Sequence, residues 1–196
     1  MKQHHVIYVP GILDDIYHQK LIVKTWRLYG VRGHCHVMPW LGPEDYWPKF
    51  QRLLDQIDGY RAKGHLVSLL GVSAGASAVI NAYVERKDDI TGVICAVAKI
   101  NGPDTVDDAV YAANPAFKTS METLQISLPK LTPADKAKMH SFYSPRDGYL
   151  PHAATIIPGV SETRLPPLRH GWAITYCLTL GAPKLLKPLK RLAQQM

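Results

Sequence analysis

Cysteine is scarce in this chain. The 196 residues include only three, Cys35, Cys95 and Cys177, and their spacing matches no zinc-ligand pattern. So few cysteines exclude a scaffold stapled by several disulfides, which needs closely spaced pairs. All three lie in predicted strands or helices. We therefore expect buried free thiols in a reducing compartment, with the cytoplasm as the default location, and we expect no bound metal.

Long apolar runs are also missing. Residues 1–5 lead into a short strand and a glycine loop, not into the apolar core of a signal peptide. No stretch approaches the roughly 20 apolar residues that a membrane-spanning helix needs. Repeats, heptad seams and low-complexity segments are absent as well. With 46% hydrophobic residues the chain can bury a full core, and we expect a single domain over residues 1–196.

Acidic residues are outnumbered. The 16 Asp and Glu stand against 23 Lys and Arg, for a net charge of +7, which suits nucleic acid, an anionic membrane surface or an acidic substrate. No recognised nucleic-acid module accompanies this charge, so we expect no nucleic-acid partner. The densest basic patch, residues 184–192, has Leu185, Leu189 and Leu192 at helical spacing. We expect this helix to pack on its own domain, with contact to a membrane surface as the alternative; the oligomeric state stays open.

Strand-like and helix-like segments alternate along the chain. Predicted strands lie near His5–Val9, His34–Met38, His65–Leu70, Gly92–Ile100, Lys138–Tyr143 and Glu162–Leu165. Predicted helices lie at Ile16–Tyr29, Glu44–Ala62, Ala74–Arg86 and Val106–Ala113, with two more beyond His170. Such alternation predicts an α/β fold, a three-layer sandwich whose mostly parallel central sheet has about six strands. The region between Asn101 and Pro133 is predicted to form a small flap beside the site.

A strand, a sharp turn and a helix meet around Ser73. The sequence Gly71-Val-Ser-Ala-Gly75 follows an apolar run and opens a run of small residues. A serine at such a turn takes a strained backbone conformation, which lifts its hydroxyl clear of the sheet towards the free N–H groups of the new helix. Glycines at both ends let the surrounding backbone pack tightly. The motif is short, but this context predicts a nucleophile.

Two later segments supply an acid and a base. Asp147 lies on a loop just beyond a predicted strand and is followed by Pro151, and His170 lies on a loop before a predicted helix. Asp104, which follows the preceding strand, is an alternative acid, although the strand and trailing proline favour Asp147. His152 is the main alternative base, but it shares a loop with Asp147.

In these features the chain resembles a small, lidless serine hydrolase of the α/β-hydrolase superfamily. The serine, acid and histidine follow each other in the order Ser73, Asp147, His170 that this fold requires, and the likeness spans nearly the whole chain. The resemblance implies an α/β-hydrolase fold without a large cap, with the backbone N–H groups of Ile12 and Ala74 as oxyanion donors. The substrate pocket would be lined by the residues that flank these loops. They are Gly11, Ile12, Leu13, Tyr149 and Trp172.

The implied chemistry is acyl transfer. His170 takes the proton of Ser73, Asp147 orients the imidazole, and an ester, thioester or amide is cleaved through an acyl-enzyme, without a cofactor. The partner would be a small-molecule ester, short and soluble because no bulky lid covers the site. Two alternatives remain open: a binding protein with this fold and no catalysis, and an acyltransferase that uses the same three side chains.

Overall fold

One parallel sheet organises the molecule. The computed structural model describes residues 2–12 and 16–196. In these residues six parallel strands run in the order β2-β1-β3-β4-β5-β6. The strands are β1 (His4–Val9), β2 (Arg32–Cys35), β3 (Leu66–Val72), β4 (Ile90–Ala96), β5 (Met139–Tyr143) and β6 (Ser161–Arg164). Because all six are parallel, their carboxyl ends share one edge, where loops carry the predicted site.

Helices cover both faces of the sheet. They are α1 (Ile16–Lys24), α2 (Tyr46–Ala62), α3 (Gly75–Glu85), α4 (Asp108–Ala113), α5 (Pro115–Ser127), α6 (Pro133–Ala137), α7 (His170–Leu178) and α8 (Ala182–Ala193). Side chains alternate across each strand, so Ile7 faces the core beneath α2, α3 and α5, while Val6 and Tyr8 face the core beneath α1, α7 and α8. Near-continuous burial of β1, β3 and β4 is typical of a parallel sheet covered on both sides. The predicted three-layer α/β architecture is confirmed.

The structure differs from the prediction most clearly in two strands and in the flap. The strand predicted over His34–Met38 lies at Arg32–Cys35, and the strand predicted to reach Ile100 ends at Ala96. The predicted flap is wrong in part, because α5 is a regular helix whose apolar side lies in the core together with α2 and α3. No large cap is built in this region, since α5 belongs to the layer that covers the sheet.

The basic C-terminal helix packs on its own domain, as predicted. Leu185, Leu186 and Leu189 of α8 are buried, and the terminal carbons of Leu189 and Leu192 lie against the backbone of Gly92 in β4. The apolar face of α8 is therefore used inside the fold. In the described residues, no helix combines the length and apolarity required to cross a membrane.

Histidines cluster around the amino-terminal ends of the strands, remote from the predicted site. The ring of His5 stacks on Tyr60 with centroids 4.1 Å apart and on His65 at 4.8 Å. Its Nδ1 lies 2.9 Å from Nε2 of His34. His4 Nε2 is hydrogen-bonded to the Ser68 hydroxyl at 2.8 Å. Burial lowers the pKa of His4 from 6.5 to about 4, and burial, reinforced by the neighbouring His34, does the same for His5.

This cluster should make the fold sensitive to acid. The unfolded chain takes up protons on these imidazoles at about pH 6.5, whereas the folded chain resists them down to about pH 4. The free energy of unfolding should therefore fall as the pH drops through that window, by on the order of 3 kcal/mol for His4 and by somewhat less for His5, whose shift depends partly on its histidine neighbours. Urea denaturation across this range measures the loss. In His4→Gln, which retains a polar partner for Ser68, the loss should shrink by about half; equal stability at both ends of the window would contradict the prediction.

Candidate active site

Ser73 lies on a strained turn between β3 and α3. Its φ of +49° is in the left-handed region, which a non-glycine residue rarely adopts. A Cβ on Gly71 would lie 2.6 Å from the Cα of Ala76, and a Cβ on Gly75 would overlap the carbonyl oxygens of Val9 and Pro10. Both glycines are therefore required by close backbone packing. The turn lies where β3 ends, at the carboxyl edge of the sheet.

The side chains of Ser73, Asp147 and His170 form one hydrogen-bonded chain. His170 Nε2 lies 3.0 Å from Ser73 Oγ, and His170 Nδ1 lies 2.7 Å from Asp147 Oδ2. The other carboxylate oxygen of Asp147 accepts the backbone N–H groups of Tyr149 and Leu150 at 3.1 and 2.8 Å. The Asp147 side chain is almost fully buried, whereas that of His170 is 15% exposed. The imidazole is thus held by a buried carboxylate and remains reachable from solvent.

The two alternative residues lie in other arrangements. Asp104 is exposed in a short 3₁₀ helix, Pro103–Thr105, and both ring nitrogens of His170 are already hydrogen-bonded to Asp147 and Ser73. His152 stacks on Tyr143 with centroids 3.8 Å apart and pairs with Glu162 at 3.0 Å. The geometry therefore favours Asp147 as the acid and His170 as the base.

The end of β4 holds the backbone of Ser73, a role that the sequence does not indicate. The Ser73 N–H donates to the Ala96 carbonyl at 3.3 Å, and the Ser73 carbonyl accepts the Lys99 N–H at 3.3 Å. Val97 between them has a φ of +42°, and its N–H donates to the Phe142 carbonyl of β5 at 2.7 Å. One strained turn thus links the strand that carries the serine to the strand that precedes the acid.

Ser144 ties the acid loop to the segment before His170. Its buried hydroxyl donates to the Leu168 carbonyl at 2.5 Å and accepts the Leu168 N–H at 3.0 Å. In addition, the His170 N–H donates to the main-chain carbonyl of Asp147 at 2.8 Å. Backbone contacts therefore set the separation of the two loops, independently of the side-chain bond between the carboxylate and the imidazole.

The predicted oxyanion donors lie in adjoining segments. Ala74 directly follows the serine at the start of α3, and the loop after β1 that carries Ile12 packs against that helix end through the Val9 and Pro10 carbonyls near Gly75. Trp40 secures this loop by donating its indole N–H to the Pro10 carbonyl at 3.1 Å. Ile12 is half-buried against the core. The donor roles of both amides stay predictions.

The predicted pocket residues form a rim more than an enclosed pocket. Tyr149 is 83% exposed, and its ring meets that of His170 edge to face with centroids 5.7 Å apart. Trp172, two residues into α7, is 70% exposed. Gly11 is buried beside the site loop, and Leu13 lies outside the described residues. The expectation of an apolar pocket is corrected for the two aromatic side chains, because both extend into solvent, with the ring of Tyr149 beside the imidazole.

Replacing Gly75 tests the packing between the turn and the β1 loop. In Gly75→Ala the new methyl group has no room beside the Val9 carbonyl, so the free energy of unfolding should fall by about 1–3 kcal/mol. Thermal and urea denaturation measure the change. The matched control is Gly59→Ala in α2, where the added Cβ would meet nothing within 4 Å and should stabilise the helix by about 0.5–1 kcal/mol. A variant at Gly75 as stable as wild type would contradict the model of the turn.

The described residues offer no grouping of three His, Cys, Asp or Glu side chains suited to a metal ion. The arrangement at the carboxyl edge is instead a hydroxyl, an imidazole and a carboxylate in series. Such a series lets the imidazole accept the hydroxyl proton while the carboxylate stabilises the resulting charge.

Solved structures with the same architecture are esterases, lipases and other hydrolases. One of the metagenome-derived lipolytic enzymes LipS and LipT superposes with a TM-score of 0.69 at 11% identity, over 98% of this chain and 94% of that one. Est1E from Butyrivibrio proteoclasticus gives 0.65 at 13% identity, over 98% and 89%. A soluble variant of monoglyceride lipase from Saccharomyces cerevisiae gives 0.60 at 14% identity, over 95% and 87%. The predicted resemblance is confirmed at the level of fold: this chain has the α/β-hydrolase fold without a large cap. No protein-family model and no curated protein sequence matches it.

Proposed function

We propose that this protein is a serine hydrolase, built as one catalytic domain, that cleaves carboxylic esters, thioesters or amides through an acyl-enzyme on Ser73. The observation that carries the proposal is the position of His170, whose two ring nitrogens lie 3.0 Å from the Ser73 hydroxyl and 2.7 Å from the Asp147 carboxylate. A serine hydroxyl is a weak nucleophile by itself, and an oriented imidazole is the group that activates it. The strained turn and the buried acid support the same assignment.

The reaction divides into two half-reactions. Ser73 Oγ attacks the substrate carbonyl carbon while its proton passes to His170 Nε2, and the carbonyl π electrons move to the oxygen. The tetrahedral intermediate collapses, its bond to the leaving group breaks, and His170 returns the proton to that group. Water then repeats the sequence on the acyl-enzyme and releases the acid. Asp147 keeps Nδ1 protonated, so that Nε2 is free to accept a proton in both halves.

The backbone amides of Ile12 and Ala74 are proposed to hold the oxygen that gains negative charge. The amide of Ala74 sits at the start of α3, where the helix dipole adds positive potential. Removing one such donor in a serine hydrolase costs about a hundred- to a thousandfold in rate. The packing of Gly75 against the β1 loop brings the two donor segments together before any substrate binds.

The open rim favours small, soluble acyl compounds whose acyl or aromatic part contacts Tyr149 and Trp172. Their exposed rings offer apolar contact area without closing over the substrate. Cys95 and Cys177 are buried free thiols, which agrees with the proposed cytoplasmic location.

Labelling by a fluorophosphonate probe tests the proposal. The probe should attach to wild-type protein, and mass spectrometry of the digested product should find it on Ser73. Buried Ser77, four residues along α3 and hydrogen-bonded to Ser120, provides an internal control that should remain unlabelled. A panel of esters, thioesters and amides, with and without an added alcohol or thiol, then separates hydrolysis from acyl transfer. Folded protein that neither labels nor hydrolyses any member of the panel would establish the non-catalytic alternative.

A further inference from the structure

The charges of this protein are segregated along the chain. Residues 16–43 and 163–196 contain no Asp or Glu. They hold ten of the 23 Lys and Arg, which are Lys20, Lys24, Arg27, Arg32, Arg164, Arg169, Lys184, Lys187, Lys190 and Arg191. The rest of the chain holds the other thirteen Lys and Arg together with all 16 Asp and Glu, so its net charge is slightly negative. The net charge of +7 thus arises entirely from these two stretches.

Folding brings the two stretches onto one side of the sheet. Helix α1 and the 3₁₀ helix Thr25–Tyr29 come from the first stretch, and α7 and α8 come from the second; their inner residues share one core. The indole N–H of Trp26 donates to the Leu178 carbonyl at 3.1 Å, a bond between the two stretches. We call this layer the basic face. It covers one side of the sheet, and the two stretches that build it contain no acidic residue.

Large apolar side chains are exposed on the same layer. Val23 and Trp26 point into the core. The exposed side chains of α1 and of the 3₁₀ helix that follows it therefore point away from the sheet. The exposed apolar residues of the basic face outside the active-site rim are Tyr17, Leu21, Leu28 and Leu180. Leu28 and Leu180 are 77% and 85% exposed. On the first stretch they alternate with Lys20, Lys24 and Arg27, so that apolar and cationic groups are mixed over a single surface.

A shallow cleft of about 450 Å³ opens in this face beside the edge strand β2. Its charged lining is entirely cationic, with Lys20, Lys24, Arg27 and Arg32. Across the described ranges, 2–12 and 16–196, none of these four forms an ion pair with an acidic side chain. The amide side chain of Gln56 adds a neutral polar group to the wall. Such a cleft is suited to a phosphate group, which needs several converging donors.

We propose that the basic face docks this protein on an anionic phospholipid surface, with headgroup phosphates in the cleft of β2 and the exposed Leu and Tyr side chains in the interfacial region. Cations that alternate with exposed Leu and Tyr are the combination that binds a charged bilayer surface. A free phosphate compound or a nucleic acid would use the cations but leave the exposed leucines without a role. The apolar side of α8 takes no part, because it is buried in the core. The proposal is independent of catalysis at Ser73.

Vesicle sedimentation tests the docking. The full chain should bind vesicles of mixed phosphatidylcholine and phosphatidylserine and remain in solution with phosphatidylcholine alone. Lys20→Ala combined with Lys24→Ala should lower the partition coefficient by about fivefold for each charge removed. The matched control is Lys63→Ala combined with Lys118→Ala, two exposed lysines outside the basic stretches; this change lowers the net charge equally but should leave binding nearly unchanged.

A second pair of variants tests the apolar contribution. Leu21→Ser combined with Leu28→Ser should weaken binding severalfold, whereas Val110→Ser combined with Ile126→Ser, at exposed positions of the opposite layer, should not. If both double-lysine variants lost vesicle binding equally, binding would depend on net charge alone and the proposal would be overturned. Undiminished binding by the leucine pair would overturn it too. So would displacement of vesicles by an equal phosphate concentration of RNA or tripolyphosphate, which would assign the face to those ligands.

Discussion

His170→Ala is expected to lower kcat for ester hydrolysis about a million-fold, the loss measured when the base of such a series is removed. Without the imidazole, no group near Ser73 Oγ can take its proton, since His170 is the only side chain that the described residues place in hydrogen-bonding contact with that hydroxyl. The variant should keep its fold, because the ring is partly exposed and the backbone bond from position 170 to the Asp147 carbonyl does not need it. Steady-state kinetics with an activated ester would measure the loss of kcat, and circular dichroism would check that the fold is kept.

His152→Ala is the matched control for that experiment. This histidine is close in sequence to Asp147 but stacks on Tyr143 and pairs with Glu162. Removing the His152 imidazole should leave kcat within a few-fold of the wild-type value. If His152→Ala abolished turnover and His170→Ala did not, the assignment of the base would be wrong.

Asp147→Asn is expected to lower kcat about ten-thousandfold with little change in structure. Asparagine has nearly the same shape, and its amide oxygen can still accept the backbone N–H groups of Tyr149 and Leu150. Its NH₂ group then faces His170 Nδ1 and forces that nitrogen to act as an acceptor. The proton of the neutral imidazole moves to Nε2, which can no longer take a proton from Ser73.

Asp104→Asn separates the two candidate acids. Asp104 is exposed, so its change should leave kcat within a few-fold of wild type. Measuring both variants over a range of pH sharpens the comparison, because a loss caused by the wrong tautomer persists at every pH at which the wild type is active. A large loss in Asp104→Asn together with an active Asp147→Asn would reverse the assignment.

The order of elements was predictable because it depends on local patterns. Apolar runs separated by helical stretches indicate a parallel sheet, and the glycines at 71 and 75 are required by backbone contacts that every tight turn of this kind imposes. The helix α5 also had a sequence signal. Phe117, Met121 and Leu124 recur at helical spacing and are buried, but the polar residues between them suggested a small flap.

The end of β4 could not be predicted in the same way. Val97 is β-branched, and such residues favour extended structure, so the pattern extends the strand to Ile100. The strand ends earlier because two tertiary hydrogen bonds hold a turn at this point. The Val97 N–H donates to the Phe142 carbonyl, and the Ala96 carbonyl accepts the Ser73 N–H. For a similar reason, the sequence placed Tyr149 and Trp172 near the site without revealing that their rings extend into solvent. Side-chain direction depends on what the neighbouring elements leave uncovered.

The hydrogen bonds of Ser144 have a consequence for redesign. They fasten the acid loop to the segment before α7, and the backbone bond between residues 147 and 170 adds a second fastening. Residues 144–170, which we call the acid–base cassette, therefore form one unit in which the position of each loop depends on the other. Loop exchange between relatives of this fold should retain activity when the whole acid–base cassette is transplanted and lose it when either loop is moved alone, because a hybrid would pair the acid and the base across mismatched anchors.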